Sequence, residues 1–110
     1  MLRKQDAGRA VTLIACDMDG TFLSPTHAPP PGNVAAVQRL AKEAPSVEFI
    51  FATGRNRRRA ADILKGCGLP FDVEKTAGVY LNGALVYGSG GMLLVQRAVE
   101  PELVVSLMQL

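Results

Sequence analysis

The chain is poor in cysteine, has one histidine and carries no aspartate after Asp72. Its two cysteines, Cys16 and Cys67, stand far apart, with no Cys-x-x-Cys pair and no Cys/His spacing of the kind that holds zinc. A disulfide framework and a zinc module are thereby set aside, and free, buried thiols in a reducing compartment are expected. The single histidine, His27, falls in the Pro-rich loop "SPTHAPPPGN", where a solvated loop side chain is expected rather than a proton shuttle. No apolar run is long enough for a membrane span. The run after the basic opening "MLRKQDAGRA" is also too short for a signal peptide, so a cytoplasmic protein is expected. Neither sign of charge dominates: 12 Lys+Arg against 10 Asp+Glu leave +2, which argues for neither nucleic acid nor a membrane surface as partner. The basic run "RNRRR", Arg55 to Arg59, has no aromatic residue within it on which bases could stack, and reads as a solvated face or as an attractor of phosphate.

What is present is one domain's worth of ordinary globular sequence, 110 residues of which 48% are hydrophobic and 20% charged. Strand-like and helix-like segments alternate. Ala10 to Cys16 is a continuous, β-branched apolar run, as expected of a parallel strand covered on both faces. Beyond the Pro-rich loop, Val34, Val37, Leu40, Ala41 and Ala44 recur at helical spacing, and Asn33 is placed to cap a helix from Val34 to Glu43. "VEFIFA", Val47 to Ala52, predicts a second buried strand, and "RNRRRAADILKGCGLP" a second helix closed by Gly66 or Gly68 ahead of Pro70. "GVYLNGALVY" reads as strand, turn at Asn82-Gly83 and strand; "GSGG" turns the chain back into "MLLVQRAV", and Pro101 opens a last helix in "PELVVSLMQL". A strand, helix, strand order implies right-handed crossovers and a ligand outside the carboxyl ends of the strands.

Two strand ends carry chemistry. In "VTLIACDMDGTFLSP" the apolar run ends in Asp17 and Asp19, which strand alternation places on one side with Met18 on the other. Two carboxylates this close repel, which favours a shared proton or a divalent cation, and hard oxygen ligands favour Mg²⁺. One carboxylate can attack a phosphoryl group while the other, its pKa raised by its neighbour, serves as acid and base. The second strand ends in "ATGR". Plainer readings exist for each residue: strand-end solvation for the aspartates, a helix N-cap for Thr53, and an ordinary hairpin turn for Asn82-Gly83.

"DMDGTFL" after an apolar strand, followed one βα unit later by "ATGR", resembles the haloacid dehalogenase (HAD) superfamily of phosphohydrolases. "YLNGALVY" resembles its Cof-like branch, which carries a large α/β cap after the second motif. The resemblance spans Val11 to Val99. It implies an α/β fold with a doubly wound (Rossmann-like) parallel sheet core, here incomplete, with residues 1–84 as the N-terminal part of the core and 85–110 as the beginning of the cap. It implies Asp17 as the nucleophile that forms an aspartyl-phosphate and as a Mg²⁺ ligand, and Asp19 as acid and base with its backbone carbonyl on the metal. Thr53 and the Gly54 amide would hold the transferring phosphate, Gly20 would let the backbone turn close to it, Arg55 would contact substrate or brace the loop, and Asn82 would lie nearby. The implied substrate is a small phosphorylated metabolite, with sugar phosphates the usual class.

The family's tethering Lys or Arg and its later Gly-Asp motif are not matched, and Lys65 and Lys75 do not stand in the motif's place. The expectation is therefore the amino-terminal part of a longer enzyme, inert and marginally stable by itself. Leu103, Val104, Val105, Leu107, Met108 and Leu110 would form an apolar stretch without a partner. Two other classes stay open: a non-catalytic HAD-like module that binds a phosphorylated ligand or a partner, and a receiver-type signalling domain phosphorylated on an aspartate.

Overall fold

A computed structural model describes residues 10–110; the basic opening segment at positions 1–9 lies outside the described residues. Five strands form one sheet, β1 (Leu13–Cys16), β2 (Glu48–Ala52), β3 (Gly78–Tyr80), β4 (Leu85–Tyr87) and β5 (Leu93–Gln96), lying side by side in chain order. β1, β2 and β3 are parallel, with Cys16 opposite Phe51 and Ala52 opposite Val79. β4 and β5 extend the sheet as antiparallel neighbours, with an irregularity in register at Val86/Tyr87. This is the α/β, Rossmann-like architecture expected, and the two antiparallel pairings, β3 with β4 and β4 with β5, follow the turns that Asn82-Gly83 and "GSGG" signal.

Helices α1 (Pro31–Glu43) and α2 (Arg57–Leu64) are the two crossovers, and α3 (Pro101–Met108) follows β5. Both crossovers step the same way across the sheet, so the usual right hand places both helices on one face. The core lies there: Val34 and Val37 of α1, Ala60 and Leu64 of α2, and Phe51 of β2 are buried together with Met18, Phe22, Leu23, Val73 and Tyr80. β1 is accordingly covered on one side only, and Leu13 is 50% exposed, which corrects the expectation of a strand buried on both faces. Cys16 and Cys67 are free and half-buried rather than fully buried.

All four phenylalanines meet under the strand ends. Phe51 packs edge-on against Phe22 at 5.1 Å and Phe49 at 5.3 Å between ring centres, with Phe71 at 6.4 Å. Phe22 closes the segment that begins at Asp17, and Phe51 stands two residues before Thr53, so one aromatic cluster anchors both motifs.

The helix starts differ from expectation in instructive ways. α1 begins at Pro31, whose ring fixes φ for a first helical position, with Pro30 as the flanking residue. Asn33 is therefore inside the helix, and its Nδ2 donates to the Phe22 carbonyl at 2.9 Å, tying α1 to the first motif. α2 is capped by Asn56, whose side chain accepts from the Arg59 amide at 2.7 Å, so Thr53 is not the cap. The run Arg55 to Arg59 is divided by the fold. Arg57 lies 3.7 Å over the Tyr87 ring and donates to the carbonyls of Glu74 at 3.2 Å and Gly91 at 3.1 Å, whereas Arg58 and Arg59 are exposed. Gly78, with no side chain, lets the buried Tyr80 ring lie against its backbone, and burial pushes the Tyr80 phenol up to about 12. Among the described residues no helix is long and apolar enough to cross a membrane. The apolar residues of α3 are exposed, Leu103, Val105 and Leu107 each by more than half.

Candidate active site

Three loops meet at the carboxyl ends of β1, β2 and β3. The first leaves β1 at Asp17, whose backbone is still extended and whose carboxylate accepts the Met18 amide at 2.8 Å. Met18 is fully buried, and Asp17 and Asp19 are exposed, as alternation requires. Gly20 then takes φ +76°, a left-handed conformation that costs glycine little, and the Leu23 amide closes the turn on the Met18 carbonyl at 2.9 Å. Before Asp17, burial and then the nearby carboxylate push the Cys16 thiol up, so this cysteine is held as an inert thiol.

The second loop continues β2 through Thr53, Gly54 and Arg55. Thr53 is the one buried polar residue among those described, 4% exposed, and its hydroxyl accepts the Arg55 amide at 3.1 Å. The third loop, Leu81–Gly83, is stitched to the second. The Asn82 amide donates to the Thr53 carbonyl at 3.1 Å and the Leu81 amide to the Arg55 carbonyl at 3.1 Å. Leu81 and Asn82 both hold positive φ, +50° and +54°, to make these bonds. The Asn82 side chain lies against Gly54, where a Cβ would approach Oδ1 to 3.0 Å.

Arg55 joins the first loop to the second. Its Nε donates to Asp19 Oδ2 and its Nη2 to Oδ1, both at 2.7 Å, a bidentate ion pair between residues 36 positions apart. His27 completes the group, with Nδ1 3.1 Å from Asp19 Oδ1 and 3.3 Å from Arg55 Nη2. The hydrogen bonds from Arg55 hold the Asp19 carboxyl below its usual range, with His27 adding to the effect. This reverses the rise expected from a neighbouring aspartate, because the side chain faces a cation rather than Asp17. The structure thus brings together Asp19, Arg55 and His27, and separately Thr53, Gly54 and Asn82, with Asp17 at the end of the edge strand β1. His27 is exposed in its loop, as the sequence suggests, and its contact with Asp19 is what sequence reasoning missed. Its place in a loop gave no periodic signal, and its contact with Asp19 exists only because the loop doubles back.

The profile of the haloacid dehalogenase-like hydrolase family matches residues 14–110. The chain belongs to that family. A similar curated protein is the uncharacterized hydrolase C215.10 of Schizosaccharomyces pombe, 40% identical over 80 residues, covering 73% of this chain and 25% of the relative. A solved HAD-like hydrolase from B. subtilis superposes with a TM-score of 0.70 at 25% identity, over 90% of this chain and 32% of that one. A HAD phosphatase from Bacteroides thetaiotaomicron gives the same TM-score of 0.70 at 21% identity, over 99% of this chain and 37% of that one, and shows the fold. The chain therefore spans about a quarter to a third of the length of these proteins.

In this HAD-like chain the donors at the β1 end suit a hard cation in kind, since the Asp17 carboxylate is exposed and offers oxygen, the ligand atom such a cation takes. They do so only in part. Among the described residues, no group of three or more His, Cys, Asp or Glu side chains is gathered to hold a metal.

Proposed function

We propose that the protein hydrolyses small phosphomonoesters, with sugar phosphates the first class to test, through a covalent phosphoryl group on Asp17. The observation that supports this best is the Arg55–Asp19 ion pair, which locks the loop after β1 to the loop after β2 at 2.7 Å. It brings an exposed carboxylate, a buried threonine hydroxyl and a guanidinium to one end of the sheet, the groups that phosphoryl transfer uses.

In this reading the Asp17 carboxylate attacks phosphorus, the bond from phosphorus to the substrate oxygen breaks, and the electron pair leaves on that oxygen, which takes a proton from Asp19. Water then attacks the phosphoryl group and gives a proton to Asp19, releasing inorganic phosphate and restoring the Asp17 carboxylate. Thr53 and the Gly54 amide receive the non-bridging oxygens, and Asn82 holds that loop in place. Arg55 attends the phosphate, and its departure from Asp19 frees that carboxyl to be protonated. Mg²⁺, when bound at the Asp17 carboxylate and the Asp19 carbonyl, would offset the repulsion between carboxylate and phosphate. The division between residues 1–84 as core and 85–110 as the start of a cap belongs to this proposal; the hydrogen-bonded sheet runs across it, through β4 and β5. So does a cytoplasmic location, which the free thiols suit.

The test is turnover of p-nitrophenyl phosphate by the full-length protein, with and without EDTA. Asp17→Asn should abolish turnover, since the covalent route is lost with its nucleophile. Activity that survives both the substitution and the chelator would end this reading.

A further inference from the structure

His27 is held in an unusual backbone state that faces its ring toward Asp19. It takes φ +60°, a left-handed conformation that non-glycine residues seldom adopt. A tight turn enforces it: the His27 amide donates to the Ser24 carbonyl at 2.8 Å, and the Ser24 amide donates to the Ala28 carbonyl at 2.8 Å. The hydroxyls of Ser24 and Thr26 pair within the same turn at 2.8 Å.

The ring so placed reaches two partners with one nitrogen. Nδ1 lies 3.1 Å from Asp19 Oδ1 and 3.3 Å from Arg55 Nη2. A ring nitrogen is a donor or an acceptor, not both. With its proton on Nδ1, the imidazole donates to Asp19; with the proton on Nε2, it accepts from Arg55. Arg55 in turn spends both Nε and Nη2 on Asp19, so the same edge of the guanidinium cannot bind a phosphoryl group while that pair is intact.

We propose that His27 is a positioning residue for Asp19: it holds Oδ1 through Nδ1 and keeps the carboxyl in place when Arg55 turns to the phosphoryl group. This rests on the hydrolase reading above. Without His27, Asp19 would lose its remaining side-chain partner whenever Arg55 left. The cost would fall on proton delivery to the leaving group rather than on binding.

The test uses the full-length protein with His27→Ala and His27→Asn, the asparagine amide nitrogen standing in for Nδ1. On an alkyl substrate such as glycerol 2-phosphate, His27→Ala should lower kcat by about tenfold with KM changed by less than about twofold; on p-nitrophenyl phosphate, whose leaving group needs little protonation, kcat should fall by less than about threefold. His27→Asn should restore most of the alkyl rate. Equal losses on the two substrates, no loss on either, or a change in KM alone would overturn the proposal. The ¹⁵N-resolved NMR signal of the Arg55 Nε–H gives a readout independent of turnover. It should shift and exchange faster with solvent in His27→Ala and recover in His27→Asn, and a signal indifferent to residue 27 would also overturn the proposal. If the wild-type protein cleaves no phosphomonoester, the hydrolase reading fails, and the clasp around Asp19 is judged by the NMR signal alone.

Discussion

At the scale of single residues, Asp19 is the site carboxyl whose titration the surroundings shift. Arg55 lowers its pKa below the ordinary 3.8. A carboxyl with a depressed folded-state pKa contributes stability that is complete above the ordinary value and is lost as the pH falls through the lowered one. Arg55→Gln should therefore return the Asp19 titration, followed by carboxyl-resolved NMR, toward 3.8, and should flatten the acid limb of the stability curve below that pH. An unmoved Asp19 titration would show that the ion pair does not persist in solution. Both carboxylates and Thr53 were legible in the sequence because each closes an apolar run, where a polar residue needs a reason. The Asp19–Arg55 pair was not legible as a contact, since local pattern says nothing about side chains 36 positions apart. Its consequence for pKa, opposite in sign to the one expected, was hidden with it.

At the scale of elements, strands and helices followed their periodicity, and the errors sit at helix starts. There several residues compete for one role. Asn33, Thr53 and Asn56 can all cap by chemistry, and only Asn56 does so for a helix near its position, because Pro31 begins α1 early and Thr53 is drawn into the β2 ladder by its amide bond to the Val79 carbonyl at 2.9 Å. Asn56→Ala should cost about 1 kcal/mol, the usual worth of an N-cap, read as a lower denaturant midpoint at unchanged slope. Thr53→Val should leave the start of α2 intact by comparison, since that residue caps nothing there. One-sided cover of β1 was also illegible: an apolar run looks the same whether one face or two are packed, and the exposure of Leu13 follows from the direction of the crossovers, which no single segment encodes.

At the scale of the whole molecule, the phenylalanine cluster connects stability to the site. Phe51 is 1% exposed and touches Phe22, Phe49 and Phe71, so Phe51→Ala should cost about 3–5 kcal/mol, seen in chemical denaturation. Because Phe22 and Phe51 flank the two motif loops, a milder Phe51→Leu should slow turnover more than its small stability loss would suggest. Strand order in the sheet is the same as order along the chain. Among the described residues, β2, β3, β4 and β5 each pair with the strand made just before them, so none of these four pairings waits for a later segment. The connections from β3 to β4 and from β4 to β5 are short, and each of the two longer crossovers contains a helix, which limits the entropy of closure. The sheet can thus grow edge by edge as the chain leaves the ribosome, and the loops bearing Asp19 and Arg55 are brought together as soon as β2 joins β1.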